Sequence, residues 1–141
     1  MRPSLAAWAL LLLAGCRRSY EPPAPILTLV PAGMRVTGPT RAIDDRTLCL
    51  AAGGSAEATV YVHQAAVTIA LTASTPTPEV MPSFVVRLGS RLVATNTLRT
   101  AQGEMSVYRT AAERGEQVLR VMVPGNSTGG LCLHQVSVTQ P

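Results

Sequence analysis

Leu131-Cys132-Leu133-His134-Gln135-Val136-Ser137-Val138 is the stretch whose reading decides the fold. Leu131 and Leu133 alternate with Cys132, and Val136 and Val138 alternate with Ser137. Alternation of this kind marks a strand buried on one face. The pattern slips once, between Leu133 and Val136. One extra residue there, a β-bulge, returns all four apolar side chains to a common inward face. The stretch is therefore read as a bulged final strand over an apolar core.

Upstream, the same reading repeats between turn signals. Val118 to Val123 sets Leu119, Val121 and Val123 on one face and Arg120 on the other. Phe84 to Leu88 sets Phe84, Val86 and Leu88 inward and Arg87 outward, and Gly89-Ser90 turns the chain into Arg91 to Ala94. Further strands are expected at Leu48 to Leu50, Ala58 to His63, Val67 to Thr72 and Ser106 to Ala111. Thr75 to Pro82 and Pro124 to Gly130 are read as loops. No long helical period follows Leu13, and Ala111 to Arg114 is too short to stand as a helix. Short strands at regular spacing predict an all-β fold, a single antiparallel β-sandwich over residues 44–141.

The amino terminus carries a different signal. Arg2 precedes the apolar run Leu5 to Leu13, followed by Ala14, Gly15 and Cys16. This has the layout of a secretory signal peptide, residues 1–15, and is too short to cross a bilayer. Leu13-Ala14-Gly15-Cys16 resembles the lipobox of bacterial lipoproteins. The resemblance implies cleavage before Cys16, a diacylglycerol on its thiol and acylation of its new amino group, so that the lipid bilayer is a partner. Each buried methylene contributes about 0.8 kcal/mol, and several chains together hold firmly. Arg17 and Arg18 add attraction to anionic headgroups. By analogy with enteric lipoproteins, the absence of Asp after Cys16 favours the outer membrane. Residues 16–43, with Pro22, Pro23, Pro25, Pro31 and Pro39, are read as an extended tether of about 3 Å per residue. Within it, Ile26 to Val30 is apolar enough to add an edge strand.

Two cysteines remain, Cys49 and Cys132, each in the string Leu-Cys-Leu. In an exported chain they are expected to pair and join the first and last strands of the domain. The alternative is two separate buried thiols. Two cysteines and distant histidines do not have metal-ligand spacing.

All twelve basic residues are arginine, against eight acidic ones, a net charge of +4. The arginines are scattered along the strands without interleaved aromatics, so no nucleic-acid partner is expected. Catalytic groups are sparse. His63 and His134 fall on strands, and Asp44-Asp45 reads as a solvated turn. Gly53-Gly54 and Gly129-Gly130 lack the lysine and helix of a phosphate loop. No enzyme is expected, and an envelope hydrolase is only a remote reading.

From Ala58 to Thr139 the order of strands and turns resembles the calcium-dependent, xylan-binding kind of carbohydrate-binding module. The resemblance rests on Thr68 to Leu71 before a proline loop, on Val85 to Ser90, on Tyr108 and on Gly115. It also rests on Val118 to Val123, on Asn126 and on the bulged final strand. It implies a jelly roll, with Asn126 and Tyr108 as ligand-side residues and calcium as an optional ligand. The chain departs from that pattern where Ser127 follows Asn126 and where no Asp occurs beyond Asp45. Calcium takes six to eight oxygens, many from carboxylates. Beyond Cys16 the aromatics are Tyr20, Tyr61, Phe84 and Tyr108, and Tyr61 and Phe84 are expected in the core. The leading expectation is an envelope lipoprotein that presents a β-sandwich interaction or structural module to an envelope protein. The alternative is a carbohydrate-binding lipoprotein whose partner is a polysaccharide.

Overall fold

Val67, Ile69, Leu71 and Ala73 are buried in strict alternation, and their strand lies in the middle of the first sheet. The computed structural model describes residues 26–141. Eleven strands follow in order: β1 (Ile26–Leu29), β2 (Arg35–Thr37), β3 (Thr40–Ala42), β4 (Leu48–Leu50), β5 (Ser55–Val62), β6 (Ala66–Ser74), β7 (Ser83–Leu88), β8 (Arg91–Thr97), β9 (Glu104–Ala111), β10 (Gly115–Met122) and β11 (Leu131–Thr139). One sheet runs β3-β4-β11-β6-β9, and β1 extends it by pairing with β11 beyond β4; the other runs β2-β5-β10-β7-β8. Every pairing is antiparallel.

The two sheets bury one core between them. Phe84, Val86, Leu119, Val121, Val60 and Val62 come from one sheet, and Ile69, Leu71, Leu131, Leu133, Val136 and Val138 from the other. Each such side chain contributes about 1.5–3 kcal/mol relative to exposure. This is the expected all-β antiparallel sandwich. The slip in β11 is a register shift: Leu133 faces Ala73, Gln135 faces Thr72, and His134 is the residue left over. Leu133, Val136 and Val138 are all buried, as the bulge requires. Gly89 turns the β7–β8 hairpin at φ +60°, a conformation that glycine adopts without a Cβ clash.

Two expectations are corrected. Residues 26–43 are not a spacer, because β1, β2 and β3 belong to the sandwich. Leu27 and Leu29 lie opposite Val138 and Val136, and Pro31 and Met34 are buried. Pro31 starts a single 3-10 turn and Pro39 separates β2 from β3, so neither has to supply a ladder donor. In addition, Cys49 sits on the fourth strand, not the first. Cys16, the signal segment and Arg17-Arg18 lie outside the described residues.

Candidate functional site

The outer face of the first sheet carries a hydrogen-bonded cluster beside a disulfide. Cys49 and Cys132 are register partners on β4 and β11 and form a disulfide. The neighbouring bulge turns His134 outward, where its ring bridges two elements. Nε2 lies 2.6 Å from the Ser74 hydroxyl on β6, and Nδ1 lies 3.3 Å from the Thr47 hydroxyl before β4. Asp44 anchors that loop by accepting the backbone N–H groups of Arg46 at 2.8 Å and Thr47 at 2.6 Å. These bonds hold its carboxyl below the usual carboxylate range. A cleft of about 160 Å³ opens beside His134, lined by Thr28, Leu29, Val30, Arg46 and Gln135.

A serine nucleophile needs a histidine base whose far nitrogen is held by an orienting group, commonly a carboxylate that stabilises the imidazolium. Here that nitrogen faces a threonine hydroxyl. The network braces β4, β11 and β6 around the disulfide.

Tyr108 and Asn126 have different surroundings. Tyr108, on β9, packs against the core and its hydroxyl accepts the Asn96 amide at 2.8 Å. It lines an open cleft of about 280 Å³ with Asn96, Arg99, Glu104 and Met105. Asn126 is exposed on the β10–β11 loop and is not among the residues lining that cleft. Its loop meets the Thr75–Pro82 loop: the Ser83 N–H donates to Ser127 Oγ at 3.2 Å, and Gly129 is hemmed in by the Val80 carbonyl and the Thr77 hydroxyl. The loops supply hydroxyls and carbonyls, and one carboxylate, that of the exposed Glu79. Among the described residues no group of three or more His, Cys, Asp or Glu side chains comes together. With Glu79 as its single carboxylate, this donor set is a poor fit for calcium, which takes six to eight oxygens and draws on carboxylates to balance its charge.

The outer face of the second sheet holds what the sequence reading missed. Tyr61 is 64% exposed there, not buried in the core as expected, whereas Phe84 is fully buried as expected. Val60 and Val62 take the inward positions on β5, so Tyr61 points out by parity. On the same face Glu57 accepts Arg120 Nε at 3.1 Å and Nη2 at 2.7 Å, and Arg35 Nη2 lies 3.4 Å away. The Arg120 hydrogen bonds, and then the charges of Arg120 and Arg35, hold the Glu57 carboxyl below its usual range. Beside Glu57 an open cleft of about 400 Å³ runs along Thr28 to Val30, Met34, Ala58 and Thr59.

Solved structures share this architecture. The CBM36-1 domain of a multidomain xylanase from the hindgut metagenome of Trinervitermes trinervoides aligns with a TM-score of 0.73 at 12% identity, over 82% of this chain and 98% of its own. A CBM36 carbohydrate-binding module in complex with calcium and xylotriose aligns at 0.70 and 11% identity, over 80% and 99%. A family 35 carbohydrate-binding module from Clostridium thermocellum aligns at 0.68 and 10% identity, over 84% and 100%. No protein-family model and no curated protein matches the chain. At these identities the likeness establishes the fold, a jelly-roll β-sandwich.

Proposed function

We propose that this chain is an exported, lipid-anchored carbohydrate-binding protein of the cell envelope, without catalytic activity of its own. One observation carries the binding reading. The sandwich aligns with 98% of a carbohydrate-binding module at a TM-score of 0.73, so the likeness spans a whole binding unit. Anchoring is supported by the sequence: the apolar run, the lipobox and Cys16 together. The ligand is taken to be a polysaccharide, held without calcium because the loops offer one carboxylate, Glu79, and no acidic cluster forms among the described residues.

The experiment is binding of the full-length protein, purified in detergent, to immobilised polysaccharides with and without chelator. Binding that survives chelator supports the reading. Binding to none of them refutes it. Labelling with radioactive palmitate, abolished by Cys16→Ser, tests the anchor separately.

An observation favours a second reading, a module that docks on an envelope protein. Met105 and Val107, 69% and 57% exposed, lie on β9, which is an edge of the first sheet among the described strands. An apolar, unpaired edge is a template for strand addition. Loss of a defined complex in Val107→Lys, with polysaccharide binding unchanged, separates the two readings.

A further inference from the structure

One rung of the second sheet carries charge on four neighbouring strands. Arg35 of β2 pairs with Glu57 of β5, Glu57 with Arg120 of β10, and Arg120 with Arg87 of β7. Arg120 and Arg87 therefore stand directly opposite one another, with Cβ atoms about 5 Å apart for such a pair. Like charges in that position destabilise a sheet. Glu57 offsets part of the cost, but its two oxygens go to Arg120 and Arg35. Among the described residues no carboxylate forms an ion pair with Arg87. All three arginines are exposed, and the rung keeps two more positive charges than negative ones.

Local rules of sheet design are broken mainly where function requires it. An unpaired arginine facing another arginine is relieved by an anion gripped by the Arg87 fork and by the Arg120 N–H groups that Glu57 leaves free. The surroundings narrow the kind of anion. Glu57, in the middle of the rung, repels a compact, multiply charged group. A singly charged carboxylate at the Arg87–Arg120 pair meets less of that repulsion. Along β5 from Glu57, on the same flat face, come Thr59 and then Tyr61, four residues and about 13 Å away. Tyr61 stands opposite the exposed Glu116, so the ligand carboxylate belongs at the arginine end and the Tyr61 ring offers an apolar surface to an uncharged sugar face.

We infer that this face binds an acidic polysaccharide, with sugar carboxylates held between Arg87 and Arg120 and the chain laid along β5 toward Tyr61. The inference rests on the carbohydrate-binding reading and specifies its ligand class and its face.

The test uses the full-length protein in detergent with polygalacturonate, neutral xylan and vesicles containing anionic phospholipid. Polygalacturonate is expected to bind best, and more weakly as salt is raised. Arg87→Gln is expected to weaken that binding about tenfold. Arg109→Gln, which removes the same charge from the other sheet's outer face, is expected to leave it unchanged. Equal binding of polygalacturonate and xylan, unaffected by Arg87→Gln, overturns the inference and leaves the carbohydrate-binding reading standing. Equal losses in the two variants overturn it as an effect of net charge. Binding to the vesicles with none to either polysaccharide overturns the inference and the reading together. Circular dichroism confirms that Arg87→Gln is folded. Relief of the Arg87–Arg120 repulsion leaves its stability unchanged or slightly raised.

Discussion

Cys49 and Cys132 face each other across antiparallel strands, 3.9 Å apart at Cα, and their disulfide is the one covalent tie between β4 and the centre of its sheet. Only three residue pairs join β4 to β11, and β3 is held in the sheet through β4 alone. The bridge closes a loop with a sequence separation of 83 residues. Chain entropy for a loop of that size gives about 4.5 kcal/mol, an upper figure where the unfolded chain keeps structure. Replacing both cysteines with alanine is expected to cost about 2–4.5 kcal/mol. Urea unfolding of the two forms measures it. Hydrogen exchange in the variant should rise first at residues 40–50.

Gly129 gives a second stability test. Its φ is +87°, and a Cβ there would run into the Val80 carbonyl. Gly129→Ala is expected to cost about 1–3 kcal/mol, because a non-glycine residue is forced into a sparsely populated conformation. Gly125, on the same loop, has open space at its Cβ and an ordinary φ. Gly125→Ala is expected to be neutral or to stabilise by up to about 1 kcal/mol through the unfolded chain. A matched pair of urea midpoints decides. Equal effects at the two positions would show that the Val80 contact does not constrain the loop.

Acid stability should depend on Asp44 and Glu57. Both carboxyls are depressed in the folded state, Asp44 chiefly by the backbone N–H of Arg46 and Glu57 chiefly by Arg120. A depressed carboxyl binds its proton more readily in the unfolded chain. Its stabilisation is therefore complete above the unfolded value and is lost as pH falls through the folded one. Stability should decline below about pH 4. The double variant Asp44→Asn, Glu57→Gln should be less stable at neutral pH and flatter over that range. Asp44 is exposed and Glu57 is only partly buried, so the effect should shrink in high salt. Thermal midpoints from pH 2 to 7 provide the check.

The sandwich was legible from the sequence because it is written in two-residue alternation. The strands from β4 to β11 fall where the apolar period and the turn residues place them, and even the β11 bulge shows as a slipped period. Of the early strands, β1 showed as the apolar run Ile26 to Val30, whereas β2 and β3 were obscured by proline. Pro31 and Pro39 sit between strands and punctuate the chain, but a dense run of prolines looks like an extended spacer whether or not strands lie between them. Tyr61 was misread for another reason. It was expected in the core together with Phe84, yet Val60 and Val62 on either side occupy the inward face. The arginine rung left less trace. Arg35, Glu57, Arg87 and Arg120 lie far apart in sequence, and strand order with register, which no local pattern encodes, brings them onto one rung.

That dependence on register makes the bulge testable at the level of the chain. His134 is the residue that β11 has in excess of β6. Without it, Leu133 would be followed by Gln135 and Val136, and strict alternation would run from Leu131 to Val138. Deleting His134 should therefore keep every inward apolar side chain inward. Its expected cost is the loss of the Ser74 and Thr47 contacts, about 0.5–1.5 kcal/mol for each hydrogen bond. Deleting Ser137 instead would move Val138 to the outer face and Thr139 toward the core, because a one-residue slip exchanges faces. Losing a buried valine and burying an unpaired hydroxyl there should together cost more than about 3 kcal/mol. Both deletions shorten the same strand by one residue, so strand length cannot distinguish them. If the Ser137 deletion proved as stable as the His134 deletion, the bulge would not be what sets the register of β11.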